Sequence, residues 1–377
     1  MISTERIKSV LRNSYYIIAN TLIVLVIVVG CAHLILSRVS SSTVHNYAGK
    51  LSMEERVAYS HMSDSEINDL LNSTWSPAIG GYNYDEWVGF KEAPRKTRYV
   101  NVNEYGMRQN SIKPVIVNEL NDSVWFFGGS TTFGYGVTDQ ETIPAQLEML
   151  LKTRVYNFGR GYFYSAQENQ LFRQYLKAGY RPRSALFLDG INERCDIGVY
   201  QDQMRAIFNK ASNYSWNLTD AVAPVVLLTD KVMTKLDVKF SQRGADTAPH
   251  DIHDFSCSPF GVDQPLTKVL QQNLLERQFI CAQYAVKCVT YVQPFAGVHG
   301  VHSDQEALKA RERATMKEQF TLLETVWADS GAIFITNALD NFKKHAYVDN
   351  YHYSAEANQL IAKEISKKLV VEKENVP

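Results

Sequence analysis

The chain has 377 residues, 21% of them charged, with a formal net charge of −1. That balance leaves no basic footprint for nucleic acid, and the length is ample for one large core. Aromatics make up 11%, with 21 Tyr, which suits sugar-binding grooves but serves equally as core and rim filler.

Arg12 and Arg38 bracket 25 residues without a charge. Residues 15–37 therefore read as a transmembrane anchor, since a helix of about 20 apolar residues spans a bilayer core. Arg6, Lys8 and Arg12 precede it, so residues 1–14 form a cytoplasmic tail and the rest is extracytoplasmic, periplasmic or on the outer face. A cleaved signal has a shorter apolar core. Val28-Val29-Gly30-Cys31 resembles a lipoprotein processing site with Cys31 lipidated, but Ala32 to Leu36 stay apolar where such a chain turns polar. Every one of these readings puts the following domain outside the cytoplasm.

Residues 38–98 read as a stalk and lead-in, with weak helical character from Met53 to Leu71, packed on the domain or standing off it. Pro77, Gly80-Gly81 and Pro94 then mark an irregular stretch with room for two short strands. From Val124 the pattern becomes regular. Strand Val124–Phe127 is followed by a helix opening near Thr142-Ile143-Pro144, with Thr142 as the cap and Pro in the first turn. Strand Val155–Phe158, helix Ser165–Lys177 and strand Ala185–Leu188 come next. Helix Leu266–Ala285, strand Cys288–Val292, helix Asp304–Ala328, strand Ala332–Thr336 and helix Ala355–Val370 complete the alternation. Five short apolar strands separated by helices predict an α/β fold with a doubly wound, mostly parallel five-stranded sheet. Residues 196–265 break the pattern with polar and aromatic clusters and read as an inserted cap.

The chemistry concentrates at two places. Phe126-Phe127-Gly128-Gly129-Ser130-Thr131 puts a hydroxyl where a buried strand ends, the edge at which open α/β sheets bind ligands. Asp349-Asn350-Tyr351-His352 supplies a carboxylate and an imidazole three residues apart. Serine, histidine and aspartate form a hydrolytic set recognised by roles rather than chain order. Ser130 is the nucleophile, His352 the base that takes its proton, and Asp349 the group that fixes the imidazole tautomer.

Four blocks in order, over residues 99–370, resemble the SGNH (GDSL-like) hydrolase superfamily. They are Gly128-Gly129-Ser130-Thr131, Asn157-Phe158-Gly159-Arg160-Gly161, Gly190-Ile191-Asn192-Glu193 and Asp349-Asn350-Tyr351-His352. The lead-in Asn103-Glu104-Tyr105-Gly106-Met107-Arg108 is similar to a segment that often precedes the nucleophile in these proteins. The resemblance implies a flavodoxin-like sheet over residues 99–377, catalysis by Ser130, Asp349 and His352, and an oxyanion site. Its donors are the N–H groups of Ser130 and Gly161 and the side chain of Asn192. The chain departs from the family at Gly129 and Glu193, where Asp is usual. Its glycine block is one residue short, so Gly161 or Gly159 is the functional glycine.

Arg160 and Arg194 flank the expected oxyanion donors and are candidates for contacting an acidic sugar. His299 and His302 follow a strand end and are candidates for lining the cleft. Together with His250-Asp251-Ile252-His253-Asp254 they have ligand-like types but no established zinc spacing, so neither a metal nor a cofactor is expected. Cys195, Cys257, Cys281 and Cys288 allow three disulfide connectivities or free thiols. Cys195 with Cys257 would tie the insertion to the core. Asn72, Asn121, Asn213 and Asn217 lie in glycosylation sequons, which arise readily by chance.

These readings converge on a membrane-anchored, extracytoplasmic serine esterase or O-acyltransferase acting through an acyl-serine on acylated carbohydrate, of the cell envelope or an exported polysaccharide. A small ester substrate, envelope-assembly partners and a membrane contact through the anchor are the expected partners. Alternatives are a lipid esterase or thioesterase, which wants a strongly apolar cap, and a non-catalytic polysaccharide-binding or assembly protein that retains the fold.

Overall fold

The computed structural model describes residues 13–21, 23–31, 45–75, 81–110, 119–193, 265–299 and 310–374. The expected insertion, apart from Pro265, lies outside these residues. So do Arg194, His302, Cys195, Cys257 and the 250–254 cluster. Asn13–Cys31 forms one helix of 19 residues with mean hydropathy 2.2, long and apolar enough to cross a membrane.

The α/β domain carries nine strands among the described residues: β1 (Tyr82–Asp85), β2 (Gly89–Glu92), β3 (Arg95–Lys96), β4 (Asn101–Val102), β5 (Val124–Gly128), β6 (Val155–Asn157), β7 (Ser184–Asp189), β8 (Lys287–Val292) and β9 (Ile333–Phe334). The main sheet has the order β6-β5-β7-β8-β9, and every neighbouring pair in it is parallel. The second strand of the series lies outside the first, which is the flavodoxin-like winding the sequence predicts. β9 is shorter than the expected Ala332–Thr336, because the chain tightens there into a 3-10 turn over Thr336–Leu339. Ile143–Leu151 opens as expected, with the Thr142 hydroxyl accepting from Ala145 N–H and Pro144 in the first turn.

β5 explains why its sequence is a continuous apolar run rather than an alternating one. Val124 and Phe126 pack into one face with Ile143, Leu147 and Ile361. Trp125 and Phe127 enter the other face with Phe158, Phe172 and Phe187. A strand buried on both sides needs hydrophobic residues at every position. The second face is an aromatic layer in which Phe127 stacks on Phe187 at 5.0 Å and on Phe158 at 4.8 Å. Much of the aromatic content is thus core, and it gives the sugar-groove reading no support.

The lead-in is built onto this sheet. Arg108 bridges antiparallel to Asn157 at the end of β6 and to Val102 of β4. The expected Met53–Leu71 helix is two, Met53–Val57 and Asp64–Trp75. Each has its own Ser-x-x-Glu start, Ser52 with Glu55 and Ser63 with Glu66, and such reciprocal capping begins a helix afresh. Tyr59, Ile67, Leu70 and Leu71 share a buried cluster with Phe133 and Val348, so the described part of the stalk segment packs on the α/β domain. Asn72 is 2% exposed and its side chain holds His45 N–H and C=O, which leaves no room for a glycan on that sequon. Cys281 and Cys288 form a disulfide from the Leu266–Gln283 helix end to the start of β8.

Phe127 has no exposed surface and sits between two stacked rings. Phe127→Ala is expected to cost about 3–5 kcal/mol, and Phe127→Leu clearly less, in urea-unfolding measurements.

Candidate active site

β5 leaves the sheet through Gly128 and Gly129 and enters the short helix Ser130–Phe133. Gly129 lets Asn192 come close: a Cβ there would lie 2.3 Å from Asn192 Nδ2 and 3.2 Å from the Phe163 carbonyl oxygen, so a larger residue would displace the Asn192 amide. Gly159 is the more constrained of the two glycines, since its Cβ would fall 2.3 Å from the backbone nitrogen of Phe133. The turn puts Ser130, partly exposed, at the carboxyl end of β5.

The loop before the C-terminal helix brings its own carboxylate and imidazole together. Asp349 Oδ1 accepts the N–H groups of Tyr351 at 2.8 Å and His352 at 2.7 Å, while Oδ2 meets His352 Nδ1 at 2.6 Å. Nδ1 is thereby the protonated nitrogen, and Nε2 is left as the basic one. Burial pushes the Asp349 carboxyl up, but the neighbouring His352 and the bonds from His352 and Tyr351 outweigh it and hold it below the usual range. Nε2 is buried and has no hydrogen-bond partner among the described residues.

Two contacts draw the loop toward the Ser130 turn. The His352 ring stacks on Tyr135 at 5.3 Å, and Tyr135 N–H donates to the Ser130 carbonyl at 3.1 Å. Gln293, at the end of β8, offers one buried oxygen between the two sides. Its Oε1 accepts from the Thr131 hydroxyl at 2.8 Å and lies 3.3 Å from the Tyr353 hydroxyl, whose single hydrogen goes to the shorter contact, the Pro294 carbonyl. The residue after Ser130 and the residue after His352 therefore meet at the adjacent residues Gln293 and Pro294. No hydrogen bond joins Ser130 Oγ to His352 Nε2 in this conformation. Such bonds are often long in an empty site and tighten around substrate.

Asn192 sits on the opposite side of the turn. Its Nδ2 donates to the Phe163 carbonyl at 2.8 Å and has a second hydrogen to give. Gly161 departs from the expectation of a free donor: its N–H is given to Glu92 Oε1 at 2.9 Å. The alternative, Gly159, donates to Asn157 Oδ1 at 2.9 Å. Both glycine amides are thus used within the fold.

Arg160 is likewise not a cleft residue. It is 2% exposed, ion-paired to Asp85 at 3.4 Å, and donates to the Phe90 carbonyl at 2.9 Å. Its guanidinium binds the lead-in rather than an acidic sugar. His299 Nδ1 accepts Phe295 N–H at 2.9 Å and its ring meets Phe320 edge-on at 4.6 Å. Burial lowers its pKa to about 4, so it is neutral at pH 7 with the proton on Nε2. Arg194 and His302 lie outside the described residues. Among the described residues there is no group of three or more His, Cys, Asp or Glu that could hold a metal.

Sequence reasoning missed the support beneath these groups. Arg108, fully buried, donates to the carbonyls of Phe133, Gly134 and Val137 and pairs with Asp139 at 2.9 Å. It thus terminates the helix that begins at Ser130. Under Asn192 lies a buried cluster of three carboxylates and one guanidinium. Arg277 reaches Asp189 at 2.5 Å and Glu168 at 3.3 Å, and Glu193 accepts both the N–H and the hydroxyl of Ser165 at 2.7 Å. Burial, then the charge of Asp189, pushes Glu193 up to about 8, and Glu168 is raised well above the usual range for the same reasons.

No family model and no curated protein matches the sequence. Among solved structures, the chain is similar to a member of the lipolytic protein G-D-S-L family from Veillonella parvula (10% identity, TM-score 0.37, 66% of this chain and 98% of that one). It is also similar to the psychrotrophic esterase EstA from Pseudoalteromonas sp. (12%, 0.35, 68% and 100%). A third is a carbohydrate esterase family 2 enzyme with a carbohydrate-binding domain from Corynascus thermopiles (10%, 0.37, 69% and 68%). At these scores the likenesses carry no functional argument, and the reading of the site rests on its own geometry.

The folded chain keeps a proton on Glu193 up to about pH 8, whereas an unfolded Glu releases it near 4.3. Its stabilising contribution is full below the unfolded value and is lost as pH rises through 8. The melting temperature of Glu193→Gln should therefore fall less than that of the parent between about pH 5 and 9. An identical slope in calorimetry would contradict this.

Proposed function

We propose that this chain is a serine esterase of the SGNH type, acting through an acyl-serine on esters of carbohydrate outside the cytoplasm. The observation that carries the reading is the bonded Asp349–His352 pair, whose remaining nitrogen is buried without a partner beside the Ser130 turn.

The residues then act in sequence. Ser130 Oγ attacks the ester carbonyl as His352 Nε2 takes its proton, and Asp349 stabilises the resulting imidazolium. The oxyanion is met by the Ser130 N–H and the second hydrogen of Asn192 Nδ2. His352 returns the proton to the departing alcohol as the ester C–O bond breaks. Water, activated by the same imidazole, hydrolyses the acyl-serine. A sugar hydroxyl in place of that water makes the reaction an O-acyl transfer.

The proposed extracytoplasmic location favours the carbohydrate ester class. The apolar helix Asn13–Cys31 follows Arg6, Lys8 and Arg12 in the order that retains the tail in the cytoplasm. The Cys281–Cys288 disulfide fits an oxidising compartment. An anchored domain so placed meets the acylated polymers of the envelope and of export.

A serine-reactive sulfonyl fluoride should label the parent chain at Ser130 and leave Ser130→Ala unlabelled, as read by mass spectrometry. Turnover of p-nitrophenyl acetate should fall at least about 10³-fold in Ser130→Ala and His352→Ala, and about 10²–10³-fold in Asn192→Ala. Adding oligosaccharide acceptors separates transfer from hydrolysis. A parent chain that neither labels nor turns over would sink the proposal.

A further inference from the structure

Glu92, at the end of β2, is fully buried and belongs to the lead-in rather than to the main sheet. One of its oxygens, Oε1, accepts the Gly161 N–H at 2.9 Å and the Tyr135 hydroxyl at 2.9 Å. The other, Oε2, meets Arg95 at 3.3 Å in a pair whose side chains are 1% and 2% exposed. Tyr82, the cross-strand partner of Glu92, completes the chain of bonds through a 2.7 Å contact between its hydroxyl and that of Tyr135.

The two groups held by Oε1 lead to opposite sides of the candidate site. Gly161 belongs to the turn that ends at Phe163, whose N–H returns to the Arg160 carbonyl and whose own carbonyl receives Asn192 Nδ2. Tyr135 carries the His352 ring on its face and bonds the Ser130 carbonyl through its N–H. Burial and the charge of Glu92 both raise the Tyr135 hydroxyl well above its ordinary pKa, so it stays protonated and donates.

We propose that Glu92 is a positioning residue of the hydrolytic site, setting the oxyanion-donor turn and the imidazole platform from a single carboxylate oxygen. The proposal rests on the serine-esterase reading above. It follows that the oxyanion is held by two donors, Ser130 N–H and Asn192 Nδ2, with the glycine amide used internally. The carboxylate never touches substrate. It acts by keeping the donor and the base in mutual register, and a misplacement of about 1 Å in such a constellation costs about 10²-fold in rate.

The test compares Glu92→Ala, Glu92→Gln and Tyr135→Phe with the parent. It measures kcat and KM on p-nitrophenyl acetate, normalised to serine titrated by the sulfonyl fluoride, alongside melting temperature. Glu92→Ala should lower kcat about 10²-fold with little change in KM. Glu92→Gln, which keeps an acceptor oxygen, should recover most of that loss. Tyr135→Phe keeps the ring under His352 and should fall between them. Should the alanine variant fail to fold, the two near-isosteric variants decide alone. A lower melting temperature with kcat per titrated serine unchanged makes Glu92 merely structural and overturns the proposal. A rise in kcat overturns it too, by making the carboxylate an obstruction of the glycine amide. A parent chain with no titratable serine overturns the esterase reading instead, which the Ser130→Ala control identifies separately.

Discussion

The exit of β5 is the constraint on which the carboxyl edge depends. Gly128, with a positive φ, and Gly129 turn the chain so closely that Asn192 Nδ2 lies 2.3 Å from where a Gly129 Cβ would stand. That closeness has to be held from outside, because a four-residue helix has little stability of its own. Arg108 supplies it from the far end by collecting the carbonyls that the helix leaves unsatisfied. Phe133, in the same helix, lies under the guanidinium groups of both Arg95 and Arg108, at 5.3 and 5.1 Å.

The lead-in is accordingly part of the site's machinery. Arg108 caps the helix that begins at Ser130, Arg160 is anchored to Asp85 and Phe90, and Glu92 reaches the turn at Gly161. All three contacts are buried and charge-assisted, the kind whose loss leaves an uncompensated charge. The sheet provides the edge that carries the candidate site, and the described lead-in residues Asp85, Glu92 and Arg108 add buried contacts to it.

What was legible in the sequence followed from local rules. Continuous apolar runs gave strands buried on two faces, Thr142 and Pro144 gave a helix start, and Asp349 to His352 gave a spacing that a side-chain-to-backbone turn closes by itself. The two Ser-x-x-Glu starts were equally local, at Ser52 and Ser63, and would have divided the helix that hydrophobic spacing alone merged. The contacts that stayed hidden join residues far apart. Glu92 meets Gly161, Gln293 meets Thr131, and Arg277 meets Asp189, and no periodicity encodes such pairings. Arg160 and Gly161 were misjudged for the same reason. Their neighbours in sequence mark them as edge residues, while their neighbours in space belong to β2 and the strand before it.

The sheet order has a further meaning for the chain as it is made. Ser130 ends the first strand of the main sheet to leave the ribosome, whereas His352 arrives only after β9, the last. A chain made only as far as β9 therefore contains Ser130 without His352. On the serine-esterase proposal, the topology withholds the pairing of Ser130 with His352 until the last strand of the main sheet has been made.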